Sequence, residues 1–250
     1  HREDLRQQRH PASQAQALFR LGALLQRHGR EAESLELYRE SLQLVPGFAP
    51  AVSALERLLL RHERWSELLQ LCRQELDREP APERAAHLLE TMATIWTHQL
   101  RQPEEALGCW QRLLELRPQD EPALAAAARI CAELGRWHDL VELSERELTL
   151  APETRRRAEL LQRLGEVWET QLLNLDWAID AYRRALTLDP GFLPSLKALG
   201  RLYRQKGRWR ELIAMHRAEI AQATNAPEIN RRLYDIAEVF EDELLDEGEA

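Results

Sequence analysis

The chain has 250 residues, of which 44% are apolar and 30% are charged, and it is long enough for one or two globular domains or for one elongated repeat domain. No apolar run reaches the roughly 18 residues that a transmembrane helix requires, so we expect no direct insertion into a membrane. The net charge of -8 disfavours nucleic acid as a partner, because phosphate binding requires an excess of Lys and Arg. Glycine and proline are few, at 10 and 12 residues, and strong helix formers are abundant, so the composition predicts an all-α fold.

The predicted elements begin after a charged segment over residues 1–11, which we predict to be a flexible leader. From residue 12 to residue 247, apolar residues recur at positions i, i+3, i+4 and i+7 in segments of about four turns, which is the pattern of amphipathic helices. The segments form six helix pairs and a final helix, and no Gly/Ser-rich or Pro-rich linker divides them, so we predict a single domain over residues 12–247. The chain opens on His1 and closes on an acidic segment, residues 241–250, and we expect it to be a fragment of a longer protein.

The helix pairs recur with a period of 72 residues, which divides into one pair of 34 residues and one of 38. Three kinds of marker reappear at this interval: Arg64-Trp65, Arg136-Trp137 and Arg208-Trp209; Pro46, Pro118 and Pro190; Tyr38, Trp110 and Tyr182. Proline cannot continue a helix, so each of these prolines is predicted to follow a second helix. Gly29, Gly135 and Gly207 are predicted to occupy the tight turns within pairs. The repeated unit is therefore a pair of helical hairpins.

These pairs resemble the tetratricopeptide repeat (TPR), whose pattern is W-x2-L-G-x2-Y, then A-x3-F, then P. The first pair fills the pattern with Leu18, Leu21, Gly22, Leu25, Ser34, Tyr38 and Pro46, and the fifth with Leu161, Leu164, Gly165, Trp168, Ala178, Tyr182 and Pro190. The second pair has Glu56 where the pattern has a small residue, and this departure predicts a weaker contact between its helices. The resemblance implies a right-handed α-α superhelical solenoid of TPR-like hairpins, in which small residues let two helices approach and aromatic residues fill the space between them.

Residues that commonly carry catalysis or bind metal ions form no recognisable motif. The chain lacks GxGxxG, GxxxxGK[ST], GxSxG and HExxH and its eight histidines are dispersed, so we predict no enzyme, no cofactor and no metal site, and surface or helix-capping positions for the histidines. Cys72, Cys109 and Cys131 are an odd number without a CxxC pair, and they predict neither a disulfide framework nor a zinc site. Cys72 and Cys131 occupy positions of the TPR pattern that predict burial.

The cysteine usage favours a reducing compartment, and we expect a cytoplasmic protein. Attachment to a cell envelope through a segment outside this sequence stays open. Nearly all basic residues are arginine, with lysine only at Lys197 and Lys206, and this bias indicates a GC-rich, bacterial genome.

The resemblance implies that the first helices of the pairs line a concave groove that holds a partner. The groove positions that we single out are basic or aromatic: Phe19, Arg57, Arg129, Lys197, Arg201, Arg204 and Tyr234. Arg57, Arg129 and Arg201 occupy one position in three successive periods. Either these arginines contact carboxylates or carbonyls of an acidic or mixed-charge partner, or they pair with carboxylates of neighbouring helices such as Glu90 and Glu166.

Trp177 differs from the other tryptophans, which recur at positions of the helix core. The equivalent positions in earlier copies hold Glu33 and Glu105, so Trp177 is predicted to be exposed. Either its ring lies along a neighbouring turn, or it contacts a partner or a second copy of the chain.

The sequence favours a non-catalytic scaffold for protein-protein interaction, which holds a partner protein or peptide in the groove. The alternative is a regulatory or sensor module of a larger enzyme or signalling protein, whose catalytic domain lies outside this chain. A helical-repeat RNA binder is disfavoured, because the net charge is negative and several groove positions are acidic.

Overall fold

A computed structural model describes residues 10–222 and 225–239 of the chain. This part of the chain forms thirteen α-helices and no strand. The helices are α1 Pro11–Arg27, α2 Glu31–Leu44, α3 Ala49–Arg61, α4 Trp65–Leu76, α5 Pro82–His98, α6 Pro103–Leu116, α7 Glu121–Glu133, α8 Trp137–Leu150, α9 Thr154–Thr170, α10 Leu175–Leu188, α11 Leu193–Gln205, α12 Trp209–Gln222 and α13 Ala226–Val239. The predicted all-α fold of helical hairpins is confirmed.

Proline and glycine punctuate the helices as the sequence predicts. Each proline of the 72-residue series lies two residues after a helix end, behind α2, α6 and α10. Gly29, Gly135 and Gly207 follow α1, α7 and α11 with φ angles of 78°, 69° and 64°, in the left-handed region that glycine adopts without a steric cost. Proline is also found in the first turn of α1, α3, α5, α6, α7 and α11, where its missing N–H removes no bond from the helix.

Two hairpins are closed by a glycine that lies under a tyrosine ring. A Cβ atom added at Gly22 of α1 would lie 2.7 Å from Cε1 of Tyr38 on α2. At Gly165 of α9, the added atom would lie 2.3 Å from Cε1 of Tyr182 on α10. Both rings are buried, so no side chain larger than hydrogen fits beneath them without displacing the ring. The predicted pairing of small and large residues is confirmed in the α1–α2 and α9–α10 hairpins.

The α3–α4 hairpin contains the departure from the pattern at Glu56, whose side chain is buried. Its Oε2 accepts a hydrogen bond from Arg84 Nη2 of α5 at 2.8 Å, and His87 Nε2 lies 3.5 Å from its Oε1. Helices α3 and α4 contact each other less extensively than α1 and α2 do. The α11–α12 hairpin has Gly200 at the same position and is equally open, so an open hairpin does not require a large residue there. The α7–α8 hairpin, with Ala128 at this position, is packed more closely than either of them, so this position alone does not determine the contact.

The helices pack into two compact units, one that runs to Pro118 and one that begins at Gln119. In the second unit, apolar clusters pass from each hairpin to the next: Leu148, Leu161 and Ala185 join α8, α9 and α10, and Tyr182, Leu202, Leu212 and Val239 join α10 to α13. Burial of each hairpin against its neighbour is what stabilises a repeat protein. The single domain over residues 12–247 stays a prediction, and residues 1–9 of the predicted leader and the segment 240–250 lie outside the described residues.

All three thiols are buried in the helix packing. Burial raises the pKa of Cys72 to about 12, and the nearby Glu56 carboxylate adds to this rise. Burial likewise raises the pKa of Cys109 to about 11. The predicted burial of Cys72 and Cys131 is confirmed, and because only the thiolate is nucleophilic, these side chains act as small apolar groups.

Candidate functional site

The second unit contains a cavity of about 500 Å³ between α7, α8 and α9. Its floor is apolar, and its walls carry a tryptophan and three arginines: Ala125, Ala128, Ala132, Leu160, Leu164 and Val167 form the floor, and Trp137, Arg129, Arg156 and Arg163 lie around it. The cavity exists because the short alanine side chains of α7 leave space that larger residues would fill. Arg129, the groove position that the sequence analysis singles out on α7, lines this cavity.

Arg129 is exposed on the cavity wall and forms no ion pair within the described part of the chain. Glu166, its expected alternative partner, instead accepts a hydrogen bond from Gln162 Nε2 at 3.2 Å. Arg156 of the same wall is held by Glu147 Oε1 at 2.8 Å, and this hydrogen bond raises the pKa of the guanidinium. The charge of Arg129 is therefore available to a partner, whereas that of Arg156 is already neutralised.

Arg201 on α11 lies in a different environment from Arg129. Its Nη2 is 2.6 Å from Oε1 of Glu169 on α9, and Tyr182 donates its O–H to the other oxygen of Glu169 at 3.0 Å. Pairing with a neighbouring helix is therefore present at this arginine, although through Glu169 and not through Glu166. The Arg201 side chain remains 65% exposed, so most of its donors face solvent.

Arg57 belongs to the first unit, where it is exposed on α3. Among the described residues it has no ion pair, and Glu90 of α5, its expected alternative partner, does not reach it. Arg57 and Arg129 thus form no ion pair among the described residues, whereas Arg201 does. Two of the three charges are not neutralised within the described chain.

A second cavity, of about 350 Å³, lies between α11, α12 and α13 in the second unit. Lys197, Arg201 and Arg204 line it from one face of α11, because residues at i, i+4 and i+7 share a helix face. Arg231 and Arg232 of α13 face them across the cavity. The structure therefore brings three predicted basic residues together and adds two that the sequence reading did not single out.

The predicted aromatic site residues lie in three different surroundings. Phe19 is half-buried, with its ring centroid 5.6 Å from that of Tyr38 and 5.8 Å from that of Phe48, so it belongs to an internal aromatic cluster. Tyr234 on α13 is 77% exposed. Trp177 is exposed, as its position predicts, and it stacks on Trp168 with ring centroids 5.6 Å apart. Tyr234 and Trp177 are available to a partner, and Phe19 mainly packs the first hairpin.

His216 on α12 is a site residue that the sequence reading missed, since surface or capping positions are expected for the histidines. His28 and His62 do terminate α1 and α3, but His216 is 4% exposed and lines the second cavity. Its Nδ1 lies 2.7 Å from Glu219 Oε2, and its Nε2 has no hydrogen-bond partner within the described residues. The signal was available: His216 follows Tyr182 by one 34-residue step, so it occupies the buried aromatic position of its hairpin.

In the two described ranges, no group of three or more His, Cys, Asp or Glu side chains is arranged to hold a metal ion. None of the helices described above combines the length and the apolar character that crossing a bilayer requires.

Three segments of the chain match family models of the tetratricopeptide repeat, over residues 15–48, 123–158 and 195–228. They coincide with the hairpins α1–α2, α7–α8 and α11–α12. The chain contains tetratricopeptide repeats. The resemblance noted from the spacing of glycine, tyrosine and proline is confirmed.

No curated protein matches this TPR chain in sequence. Among solved structures, it is similar to YrrB, described as a TPR protein with an unusual peptide-binding site, with 19% identity, 72% of this chain and 89% of YrrB covered, and a TM-score of 0.45. It is also similar to pilF of Pseudomonas aeruginosa, with 19% identity and a TM-score of 0.42. This match covers 76% of the present chain and 82% of pilF. A third similar structure is that of a TPR protein from Parabacteroides merdae, with 14% identity and a TM-score of 0.45. The match covers 89% of this chain and 85% of that protein. The family assignment follows from the three matched repeats.

Proposed function

We propose that this TPR protein is a non-catalytic scaffold that holds a partner protein or peptide along the first helices of its hairpins. The observation that carries the proposal is the cavity between α7, α8 and α9, which combines an apolar floor with the un-neutralised charge of Arg129. An apolar floor accepts an anchoring side chain of the partner, and a guanidinium accepts a carboxylate or a carbonyl beside it.

The lining also supports a partner of acidic or mixed charge. Arg129 and Arg163 present positive charge to the opening, and Glu166 presents negative charge on the same wall. A partner segment with carboxylates and apolar anchors complements this pattern, and an added basic group could pair with Glu166. Arg57 and Arg201 occupy the equivalent position on other first helices, and we include them in the proposed binding surface.

Site-specific photocrosslinking tests the proposal. A photoreactive amino acid is placed at Ala132, which lines the cavity, and a matched one at Asp180, which is exposed on α10 and does not line it. After irradiation in a lysate of the source organism, we expect a crosslinked partner from position 132 and none from position 180. Crosslinks of equal yield at both positions would reject the cavity as the binding site.

The role of the arginines is tested with the triple variant Arg57→Glu, Arg129→Glu and Arg201→Glu. We expect it to lose the crosslinked partner while its helicity, measured by circular dichroism, is retained. The matched control is Arg20→Glu, Arg27→Glu and Arg112→Glu, which reverses three other exposed charges and should keep the partner. A partner that is retained by the first variant would show that the arginines do not take part.

A further inference from the structure

The cavity between α11, α12 and α13 has a charge distribution that sets it apart from the cavity at α7–α9. Five basic side chains line it, and the two lining carboxylates are Glu219 and Asp235. Arg232 lies 2.9 Å from Glu219 and 3.0 Å from Asp235, so a single arginine engages both acids. Arg201 is engaged by Glu169, as described above. The other three basic residues form no ion pair within the described ranges of the chain.

These three residues are Lys197, Arg204 and Arg231, and each of them is exposed. Across the described ranges of the chain, none of them forms an ion pair. They lie on two helices that face one another across the cavity. A net excess of three cations around one concave surface is unusual in a chain whose net charge is -8, and it attracts a ligand that carries several negative charges.

The floor of the same cavity is apolar and identifies the class of anion. Leu193, Leu196, Leu212 and Met215 line it, and Leu193 is 57% exposed. A free phosphate ion or a nucleic-acid backbone makes no use of such a floor, whereas leucine and methionine side chains readily accept apolar side chains of a peptide. His216 lies beside this floor, and its buried Nε2 atom has no hydrogen-bond partner within the described residues.

We propose that the α11–α13 cavity binds an acidic peptide segment of another protein, with its apolar side chains on the Leu and Met floor and its carboxylates against Lys197, Arg204 and Arg231. This inference rests on the proposed scaffold function, and it names the chemistry of the partner segment that binds between α11, α12 and α13. The volume of about 350 Å³ suits one or two anchoring side chains of such a segment.

The test uses the full chain and a fluorescent peptide of about 12 residues, in which two leucines one helical turn apart lie among glutamates. Its control peptide has glutamine in place of every glutamate. By fluorescence polarisation, we expect the acidic peptide to bind at least about tenfold more tightly than the glutamine peptide, and its affinity to fall as salt is raised. Equal affinity of the two peptides, or no binding of the acidic one, would overturn the proposal.

Two sets of variants locate the binding. Lys197→Glu, Arg204→Glu and Arg231→Glu together should lower the affinity for the acidic peptide by about tenfold or more. If that variant does not fold, the same three residues are replaced with glutamine, and the affinity should again fall. The control set Arg20→Glu, Arg27→Glu and Arg112→Glu changes the net charge equally and should leave the affinity unchanged. Equal loss in both sets would show that only the overall charge matters, against a built site.

Two further outcomes would name a different occupant and so overturn the proposal. Binding of the acidic peptide that appears only after removal of residues 240–250, which contain six acidic residues, would assign the cavity to the chain's own segment. Tighter binding of a single-stranded oligoribonucleotide than of the peptide would assign it to nucleic acid. Arg129→Glu separates this proposal from the previous one, because it should abolish the crosslink at position 132 and leave the acidic peptide bound.

Discussion

The first two hairpins fill the same two positions with opposite combinations of size. In α1–α2, Gly22 lies beneath Tyr38, so the small residue is on the first helix and the large one on the second. One 34-residue step later, Glu56 on α3 is the larger residue and Cys72 on α4 is the smaller one. The larger and the smaller residue are therefore exchanged between the two helices of the hairpin.

The two arrangements differ in what else they require. The Gly22 and Tyr38 pair is completed inside its own hairpin, since the Tyr38 hydroxyl donates to Gln26 Oε1 of α1 at 3.0 Å. Glu56 brings a carboxylate into a buried position, and its hydrogen bond comes from Arg84 of the following hairpin. The buried polar side chain of the first hairpin is therefore satisfied from within, whereas that of the second depends on its neighbour.

Removal of the second-helix residue should show the largest difference between the two hairpins. Tyr38→Ala deletes a fully buried ring, and we expect it to lower the free energy of unfolding by about 3–5 kcal/mol. Cys72→Ala removes one sulfur atom and should cost about 1 kcal/mol. Urea unfolding followed by circular dichroism measures both, and amide hydrogen exchange reports whether the loss is confined to one hairpin. Equal losses would show that Tyr38 does not organise the first hairpin.

A methyl group on the first helix should have the next largest effect. Gly22→Ala places its Cβ 2.7 Å from the Tyr38 ring, so the ring or the helix must shift, at a cost of about 1–3 kcal/mol. Gly108→Ala is the matched control, because an added Cβ there meets no atom within 4 Å. At this helical position alanine should stabilise the chain by about 0.5–1 kcal/mol. If both variants stabilised the protein, the close approach at Gly22 would be refuted.

The second hairpin is tested through its ion pair with the third. Arg84→Met leaves the buried Glu56 carboxylate without its main partner, and we expect a loss of about 1–2 kcal/mol, at the lower end for a buried charged group because Arg84 is itself 32% exposed. The double variant Glu56→Ala with Arg84→Met should lose less than the sum of the single variants. Additive losses in this double-mutant cycle would show that the two side chains do not interact.

Most of this fold could be predicted from the sequence, because the determinants are local and repeated. The positions of Gly22, Tyr38 and Pro46 within one 34-residue unit define a hairpin, and their recurrence defines the stack. The ion pair of Glu56 with Arg84 could not be predicted in the same way. It joins different hairpins, whereas the repeat pattern describes only positions within one hairpin. The burial of His216 was missed for a related reason. Histidine as a residue type favours a surface position, whereas the position of His216 in the repeat predicts burial.

The candidate site was predicted less completely than the fold. The repeat pattern identified Arg57, Arg129 and Arg201 as equivalent, and the structure shows that their electrostatic settings differ. Whether an arginine is neutralised depends on the rotamers and charges of a neighbouring helix, and sequence spacing does not specify these. For the same reason, the sequence did not predict that Arg231 and Arg232 line the second cavity. They do so only because α13 packs against α12.

An effect that is absent at neutral pH concerns the two buried thiols, Cys72 and Cys109. The folded chain holds the pKa of Cys72 at about 12 and that of Cys109 at about 11, mainly by burial, whereas an unfolded thiol titrates near about 8.5. Because folding disfavours the thiolate, stability is complete below about pH 8.5 and is lost as the pH rises toward the folded values. The urea midpoint of the wild type should therefore fall more between pH 8 and pH 10.5 than that of the variant with Cys72→Ala and Cys109→Ala.

Alkylation offers an independent measurement of the same burial. At pH 8, iodoacetamide should modify Cys72 far more slowly in the folded chain than in urea, because both the thiolate fraction and the access are reduced. In the α1–α2 hairpin the equivalent position is filled by Tyr38, whose ring excludes solvent, so Tyr38→Cys would place a thiol beside Gly22 in a space made for a larger group. We expect that thiol to react faster than Cys72, since the volume that Glu56 supplies in the second hairpin is missing from the first. Equal protection of the two thiols would mean that the Glu56 side chain does not shield Cys72.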